Sequence, residues 1–380
     1  GEAISKMAFG NRIGFKFNEG VEDLFKANYG NIVLELANED LSLLDGYNYI
    51  ALGSTTEEQS ITIENEEISL EELYNAHCKT LEPIFPTKSV DIKEKIETIN
   101  FISQGEAKKS SITIAKPRVF IPTFPGTNCE YDLQRAFEKA GANTNIEVFK
   151  NLTYKDIEDS IETIVKQIRK SQIIMLPGGF SAGDEPDGSA KFMATVFRNP
   201  KVAEAVNEFL TKQDGLMLGI CNGFQALIKL GLVPYGEIRE TTVDAPTLTY
   251  NNIGRHQSKI VRTRIASNKS PWLAATEVGD THSIAISHGE GKFVASEEVM
   301  RQLIANGQIA TQYVDFNDNA TYDIDFNPNG STYAVEGITS ADGRIFGKMG
   351  HSERIGEHVI KNIIGEKDQK IFESGVNYFK

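Results

Sequence analysis

The sequence predicts an α/β protein in which a mostly parallel sheet is covered by helices. From Lys116 onward, short apolar runs alternate with amphipathic segments. Strands that are buried on both faces are near-continuous apolar runs, whereas the helices that cover them are apolar on one side only. Ligands of such sheets bind at the carboxyl ends of the strands. We therefore expect the functional residues to follow the predicted strands directly.

The elements of this main domain follow from the alternation, and Gly141 and Gly231 are expected to end two of its helices. The predicted strands are 119–121, 146–149, 173–176 and 216–220, and the predicted helices are 130–140, 155–169, 189–210 with an interruption near Pro200, and 222–230. Shorter strands are predicted at 258–265, 283–287, 333–338 and 344–349, with a final helix over 354–364.

The first part of the chain has a different pattern, and we predict three regions. Residues 1–86 form a partial α+β segment, 87–115 form a polar, charge-alternating linker, and 116–380 form the main domain. Within the first region, the predicted elements are strands at 31–36 and 61–63 and a helix over 68–81 with Ser69 as its N-cap.

Composition excludes several classes of function. The formal net charge is −14, from 39 basic and 53 acidic residues, which disfavours nonspecific binding to nucleic acid or to anionic membranes. Three cysteines without a CxxC pair do not form a disulfide framework, and we expect reduced thiols in a cytoplasmic protein. No GxxxxGK[ST] loop occurs, so the chain has no P-loop.

The sharpest local motif surrounds Cys221. Gly219-Ile-Cys221-Asn-Gly223 stands where a predicted buried strand meets a predicted helix. This is the setting of a nucleophile elbow, whose strained turn requires small residues two places from the nucleophile. The N-terminus of the helix would also favour a thiolate. The alternative is a buried cysteine that only packs, but the glycine spacing favours a nucleophile.

A thiol nucleophile needs a base, and the base needs a group that orients it. His351 and Glu353 follow the predicted strand 344–349 and are two residues apart. In an extended segment such residues point to the same side. The carboxylate could therefore hold the imidazole tautomer, although a His-x-Glu pair in a surface turn is common by chance.

A third motif could bind a developing oxyanion. Gly178 and Gly179 follow the predicted strand 173–176, and glycines at a strand end let backbone N–H groups face a ligand. The N–H of Asn222, directly after Cys221, would be the second donor. A plain turn is the alternative.

Together these motifs resemble the class I glutamine amidotransferases. The resemblance covers roughly residues 116–365 and is similar in detail to the glutaminase domain of the phosphoribosylformylglycinamidine synthase family. It rests on PGGFSAGD, LGICNGFQAL and GHSER in that order, and on FPGTNCE, ISHGEGKF, NPNGS and TSADGRIFGKMGHSER. It implies a flavodoxin-like sheet.

The resemblance also implies residue roles. It makes Cys221 the nucleophile, His351 the general base and then acid, and Glu353 the group that orients the imidazole. Gly179 and Asn222 would donate to the oxyanion, beside Gly178. Positions near the glutamine pocket are implied for Phe180, Gln225, His288 and Glu290. Cys129, in the NCE motif, is interpreted as structural or pocket-lining, and no metal is implied in this domain.

The family activity implied is hydrolysis of glutamine to glutamate and ammonia, through a thioester. Ammonia would pass through a protected passage to a synthetase domain of the same longer chain. There it would convert formylglycinamide ribonucleotide to formylglycinamidine ribonucleotide, with ATP and Mg²⁺. Residues 1–86 look like the C-terminal piece of that synthetase, which resembles aminoimidazole ribonucleotide synthetase. Most of the ATP- and nucleotide-binding parts are then expected to precede Gly1.

Other interpretations remain open from the sequence. The chain could be an amidotransferase-like enzyme of another pathway, or a non-catalytic binding module of the same fold. An α/β-hydrolase would place its acid before its histidine, unlike the order here. His282 and His288 could contribute to a metal site, but no cysteine or carboxylate spacing completes a tetrahedral set.

Overall fold

The computed structural model describes residues 1–37, 40–89, 94–104, 109–181 and 190–380. They divide into two compact units, Gly1–Thr87 and Lys88–Lys380. The start of the predicted helix at residue 189 and the last three residues of PGGFSAGD lie outside the described residues. Among the described residues, no helix has both the length and the apolar character that a bilayer crossing requires.

The first unit combines two helices with a four-stranded sheet of order β2-β1-β3-β4, in which only β1 and β3 are parallel. Its elements are α1 (Glu2–Asn11), β1 (Gly14–Phe17), β2 (Gly53–Thr56), β3 (Ser60–Ile63), β4 (Glu66–Ser69) and α2 (Leu70–Lys79). Its core contains Ile4, Ala8, Phe17, Ile61 and Leu70. The predicted N-cap is confirmed, since Ser69 Oγ accepts a hydrogen bond from the Glu72 N–H at 3.1 Å.

The strand predicted at 31–36 is wrong. The structure assigns no strand there, and Ile32 and Leu34 are 81% and 62% exposed. The β-branched Ile32 and Val33 favour extended backbone, but β-propensity stabilises a strand only where side chains pack and a neighbouring strand pairs.

The second unit contains the main sheet and most of the helices. Its first elements are β5 (Arg118–Thr123), α3 (Glu130–Lys139), β6 (Asn143–Val148), α4 (Tyr154–Lys170), β7 (Ile173–Leu176), α5 (Lys191–Phe197), α6 (Pro200–Lys212), β8 (Leu216–Ile220), α7 (Asn222–Leu230) and the short α8 (Leu232–Tyr235). They continue with β9 (Thr247–Thr249), β10 (Gln257–Ile265), β11 (Thr281–His288), β12 (Lys292–Val294), α9 (Glu297–Ala305), β13 (Ile309–Tyr313), β14 (Val335–Thr339), β15 (Ile345–Lys348) and α10 (Ile371–Asn377).

The nine-stranded sheet has the order β11-β10-β13-β14-β15-β8-β7-β5-β6. Strands β15, β8, β7, β5 and β6 are parallel, and β11, β10, β13 and β14 extend the sheet in antiparallel fashion. The predicted α/β class is confirmed, with the parallel strands restricted to one half of the sheet. The parallel pairing of β15 with β8 brings the ends of these two strands to one edge.

The C-terminal helix lies later than the sequence indicates. Residues 354–364 form turns, and Val359 and Ile364 are 45% and 94% exposed, so no apolar face of this segment is buried. Tertiary packing instead stabilises a helix at Ile371–Asn377. There Gly375 lets Trp272 approach, because a Cβ on Gly375 would lie 2.2 Å from the indole ring.

From Lys88 onward, the described residues of the predicted linker belong to the second unit, and some of them pack within it. Ile99 is buried, and its backbone N–H donates to Gln312 Oε1 at 2.8 Å. Its carbonyl accepts a hydrogen bond from Arg264 Nη1 at 2.9 Å. Near the other end, the Ser110 N–H donates to the Tyr378 carbonyl.

Helix α7 crosses β7 at Gly223 with almost no space between the two backbones. A Cβ built on Gly223 would lie 2.0 Å from the Leu176 carbonyl oxygen. Since backbone atoms on both sides would have to move, only glycine fits this crossing.

We predict that Gly223→Ala lowers the free energy of unfolding of the second unit by about 1–3 kcal/mol or more, as overpacking does. Trp272, the single tryptophan, is buried in this unit, so its fluorescence during urea unfolding reports the effect. Gly356→Ala is the matched control, because Gly356 is exposed in a turn and its added Cβ would meet only the Val359 side chain. Equal midpoints for the two variants would contradict the prediction.

Candidate active site

Cys221 lies at the junction of β8 and α7 in strained backbone geometry. Its φ is 52° and its ψ is −107°, a conformation that costs on the order of 1–3 kcal/mol for a residue with a side chain. The Cys221 N–H donates to the Lys348 carbonyl at 2.8 Å. A Cβ on Gly219 would lie 2.6 Å from the Gly223 carbonyl oxygen. The small flanking residues are therefore a steric requirement of this turn.

His351 and Glu353 follow β15 and form a buried hydrogen-bonded pair. The distance from His351 Nδ1 to Glu353 Oε1 is 2.5 Å, and the side chains are 1% and 0% exposed. The His351 N–H donates to the Ala285 carbonyl at 2.8 Å, which fixes the backbone at the histidine. As the i, i+2 spacing predicted, the carboxylate holds one ring nitrogen and leaves Nε2 for other chemistry.

The charges of this pair stabilise each other. Burial is the largest single effect and disfavours the imidazolium, but the Glu353 carboxylate, Cys221 and Cys129 together outweigh it, so the pKa of His351 is raised well above its usual value. Burial likewise acts to raise the pKa of Glu353, but attraction to His351 and their hydrogen bond hold that pKa below its usual value.

Cys221, His351 and Cys129 converge on Gly178, which lies two residues after the end of β7. A Cβ placed on Gly178 would lie 3.0 Å from Cys129 Sγ, 3.0 Å from His351 Cε1 and 3.5 Å from Cys221 Cβ. Three segments distant in the sequence therefore meet around one glycine. A side chain at this position would separate the thiol from the imidazole.

The Cys221 thiol and the imidazole are not hydrogen-bonded to each other in the structure. Cys221 Sγ donates instead to the Ser287 carbonyl at 3.7 Å. The buried His351 Nε2 has no hydrogen-bond partner among the described residues. Catalytic hydrogen bonds are often long or poorly aligned in the absence of substrate.

Three of the predicted oxyanion and pocket residues, Asn222, Gln225 and Glu290, form a hydrogen-bonded chain that begins beside Cys221. The Ser181 N–H donates to Asn222 Oδ1, Asn222 Nδ2 donates to Gln225 Oε1, and Gln225 Nε2 donates to the Glu290 carbonyl, at 3.2, 2.8 and 2.6 Å. Asn222 is the first residue of α7, where backbone N–H groups have no intrahelical partner.

The PGG turn is held by the loop after β5. The Phe180 N–H donates to the Gly126 carbonyl at 2.8 Å, and Gly179 forms a bridge with Thr127. Gly179 has φ 127°, and a Cβ there would lie 2.6 Å from Thr127 Cα. The Phe180 ring lies 5.9 Å from the ring of His256.

His288 is a buried, neutral histidine. Its Nδ1 lies 3.1 Å from Asn251 Oδ1, which also accepts from the Gly291 N–H, so Nδ1 carries the proton. Its Nε2 has no hydrogen-bond partner among the described residues. Burial, with smaller effects from His351 and His256, lowers the pKa of His288 to about 3. Asn251 lies outside every motif that the sequence analysis used.

Sequence reasoning missed two contacts of Cys129, one of them with the imidazole. Cys129 Sγ lies 3.9 Å from His351 Nδ1, and Arg354 Nη2 donates to Cys129 Sγ at 3.3 Å. Both residues belong to motifs quoted above, NCE and GHSER, but spacing alone does not place one against the other. Only the fold reveals that they share a contact.

One group of side chains could in principle hold a metal ion. Ligand atoms of Cys129, His351 and Glu353 lie within 4.8 Å of one another, whereas neither His282 nor His288 belongs to such a group among the described residues. The Arg354 guanidinium donates to the sulfur of this group. Its fixed positive charge disfavours a second cation there.

The fold and this thiol–imidazole–carboxylate cluster define a domain of the amidotransferase class, and a family comparison gives the particular family. The family profile of the CobB/CobQ-like glutamine amidotransferase domain matches residues 116–379. The chain therefore belongs to this family of glutamine amidotransferases.

Two individual relatives support this family assignment. The phosphoribosylformylglycinamidine synthase subunit PurQ of Dehalococcoides mccartyi is 34% identical over 63% of this chain and 86% of its own length. The subunit PurQ of Thermotoga maritima is 30% identical over 70% of this chain and 99% of its own. The predicted resemblance to the glutaminase domain of this synthase family is confirmed by these matches.

A solved structure, that of PurLQS from Thermotoga maritima, also matches. It is 28% identical in sequence, with a TM-score of 0.49, and the match covers 70% of this chain and 100% of that chain.

We predict a specific pH dependence of stability from His288. Its folded-state pKa is about 3, whereas an unfolded histidine titrates near ~6.5. The unfolded chain then binds one more proton between these values, so stability falls as the pH falls through this range. In His288→Asn, whose amide can still donate to Asn251, the slope of unfolding free energy against pH should decrease by up to about 1.4 kcal/mol per pH unit.

Urea unfolding followed by Trp272 fluorescence between pH 4 and pH 7 measures this slope. The matched control is His358→Asn, which replaces an exposed histidine and should leave the slope unchanged. Parallel pH profiles for wild type and His288→Asn would show that His288 is not held neutral by burial.

Proposed function

We propose that residues 116–380 are the glutaminase part of a phosphoribosylformylglycinamidine synthase in purine biosynthesis, and that Cys221, His351 and Glu353 are its catalytic triad. The observation that carries the proposal is the convergence of a strained cysteine and a buried His–Glu pair on Gly178. Membership of the glutamine amidotransferase family and relatives named as subunit PurQ support the pathway.

The reaction begins with proton transfer from the Cys221 thiol to His351 Nε2. For this step the thiol gives up its bond to the Ser287 carbonyl and turns toward the imidazole. Glu353 keeps the proton on Nδ1 and stabilises the imidazolium that results, as the carboxylate of a triad does. The sulfur then attacks the side-chain amide carbon of glutamine.

The tetrahedral intermediate carries a negative oxygen. We assign its stabilisation to the backbone N–H groups of Gly179 and Asn222. Gly179 follows β7, Asn222 begins the helix α7 that follows β8, and β7 and β8 end at one edge of the sheet. Each such donor contributes about 10²–10³ in rate. The His351 imidazolium protonates the leaving nitrogen, and ammonia departs. The same imidazole then activates water, which cleaves the thioester to glutamate.

The remaining predicted residues would shape the glutamine pocket. Asn222, Gln225 and Glu290 form the hydrogen-bonded chain described above, and Phe180 lies on the PGG turn. The neutral His288 offers a bare Nε2, which can accept a hydrogen bond from the substrate's ammonium or amide. We propose that these residues line the glutamine pocket.

Ammonia would then pass to a synthetase site that uses ATP and Mg²⁺ to amidate formylglycinamide ribonucleotide. A protected passage suits this step because protonated ammonia is not a nucleophile. The glutaminase chemistry itself uses only side chains and backbone, so we propose no metal or cofactor for it. Residues 1–86 would be the C-terminal piece of the synthetase, and the free cysteines fit our proposal of a cytoplasmic location.

We predict that Cys221→Ala abolishes glutamine-dependent synthesis in the complete synthase, with a loss of at least about 10³-fold. Added ammonium salts should still support synthesis, because the synthetase site is untouched. A glutamine-analogue chloroketone should label Cys221 of the wild-type chain, as seen by peptide mass spectrometry. Cys78→Ala, which removes a thiol in the first unit, is the control and should change nothing. Glutamine use by Cys221→Ala would overturn the triad.

We also predict that Glu353→Gln lowers kcat by about 10²–10⁴-fold with little change in KM, because the amide no longer balances an imidazolium. The pKa of His351 should fall, since the group that chiefly opposes the effect of burial is lost. Glu357→Gln, an exposed carboxylate in the same segment, is the matched control. Steady-state glutamate release measures both. A kcat within threefold of wild type would exclude an orienting role for Glu353.

A further inference from the structure

A second ion pair lies directly beneath the turn that carries His351 and Glu353. Lys348 and Glu336 are both 0% exposed, and Lys348 Nζ lies 3.1 Å from Glu336 Oε1. Lys348 is the last residue of β15, and Glu336 lies on the neighbouring β14. Neither residue has a part in the glutaminase mechanism described above.

The Lys348 ammonium directs its other two hydrogen bonds into the turn. It donates to the Gly350 carbonyl at 2.7 Å and to Ser352 Oγ at 2.9 Å. With Glu336, these partners account for the three N–H donors of an ammonium. The two bonded residues are those on either side of His351.

The Glu336 carboxylate holds the same turn from a second side. Its Oε1 accepts from the Gly350 N–H at 2.6 Å, and its Oε2 accepts from the Thr311 hydroxyl. A Cβ on Gly350 would lie 2.9 Å from Glu336 Oε1 and 3.1 Å from Lys348 Nζ. Glycine at this position therefore allows both charged groups to reach the turn.

Lys348 is also bonded to the nucleophile's segment. Its carbonyl accepts the Cys221 N–H at 2.8 Å, and it pairs with Ile220 in the parallel ladder. A single residue thus holds the cysteine through its backbone and the histidine turn through its side chain. Ser352 extends the connection, since its hydroxyl donates to Gln369 Oε1 at 2.5 Å.

Stability alone does not explain a buried ion pair at this position. Removing two charges from water costs several kcal/mol per ion, and well-packed apolar replacements are often neutral or stabilising. The directional bonds to Gly350 and Ser352 are what an apolar pair could not reproduce. Small displacements of catalytic groups, on the order of 1 Å, can cost about 10²-fold in rate.

We propose that Lys348 and Glu336 are positioning residues, which fix the turn around His351 so that its imidazole faces Cys221. This inference rests on the proposed glutaminase function and adds to it the source of the triad's alignment. The pair acts through the turn and does not touch the substrate.

The test compares Lys348→Met, Glu336→Gln and the double variant Glu336→Leu/Lys348→Met. We measure kcat and KM for glutamate release, the maximal rate of Cys221 alkylation by a glutamine-analogue chloroketone, and urea unfolding by Trp272 fluorescence. Lys348→Met should lower kcat and the alkylation rate about 10–100-fold, with KM within about threefold. The double variant should recover the wild-type unfolding midpoint while both rates stay low.

Two further variants make the result decisive. Arg344→Met removes a cation just before the other end of β15, where it bonds Asp342 and the Leu210 carbonyl, and it should change stability but not the rates. If Lys348→Met does not fold, Ser352→Ala removes one bond to the turn without leaving a charge unpaired. It should lower the rates severalfold.

The outcomes separate this inference from the proposed function. Labelling of Cys221 in the wild type, with unchanged rates in the Lys348 and Ser352 variants, would overturn the positioning role alone. Recovery of the rates together with stability in the double variant would do the same, because an apolar pair would then suffice. Absence of Cys221 labelling in the wild type would instead contradict the glutaminase assignment.

Discussion

The parallel pairing of β15 with β8 is the constraint on which the site depends. Residues 345–348 lie in register with 217–220, so both strands end at the same edge of the sheet. The turn after β8 presents Cys221, and the turn after β15 presents His351. Residues 130 positions apart are thereby placed side by side by main-chain hydrogen bonds. The bond from the Cys221 N–H to the Lys348 carbonyl is the last one of this ladder.

Two glycines allow the segments around this edge of the sheet to come into contact. Gly178 leaves the space in which Cys129, Cys221 and His351 meet, and Gly223 lets α7 approach the end of β7. Neither position tolerates a Cβ without displacing backbone or side chains of the candidate site. The strain of Cys221 is sustained because its flanking segments are held on both sides by the sheet and the helix.

The parallel half of the fold could be predicted from the sequence because its determinants are local. Apolar runs define 173–176 and 216–220, and the structure reproduces both strands and the helix 222–230. The strand at 31–36 and the helix at 354–364 failed because their apolar residues find no packing surface. Helix α10 was missed because its stability depends on Trp272, about a hundred residues earlier, which no local pattern encodes.

The candidate site likewise has one part that the sequence predicts and another that only the fold reveals. Cys221, His351 and Glu353 are recognisable because elbow glycines and a His-x-Glu spacing are local features. The contact of Arg354 with Cys129, the acceptor Asn251 and the Glu336–Lys348 pair arise from residues brought together only by the fold. Such partners carry no pattern in a single sequence, since each is an ordinary polar residue until its neighbours are known.

The arrangement of charge explains how so many ionisable groups can be buried in one place. Glu336 is paired with Lys348 at 3.1 Å, and Glu353 is hydrogen-bonded at 2.5 Å to His351, which can take up a positive charge. An unpaired buried charge would cost several kcal/mol or change its protonation. Moving the thiol proton to Nε2 creates a thiolate and an imidazolium at the same time, which keeps the cluster's net charge constant. The chemistry can therefore proceed in a closed site without drawing a counterion from water.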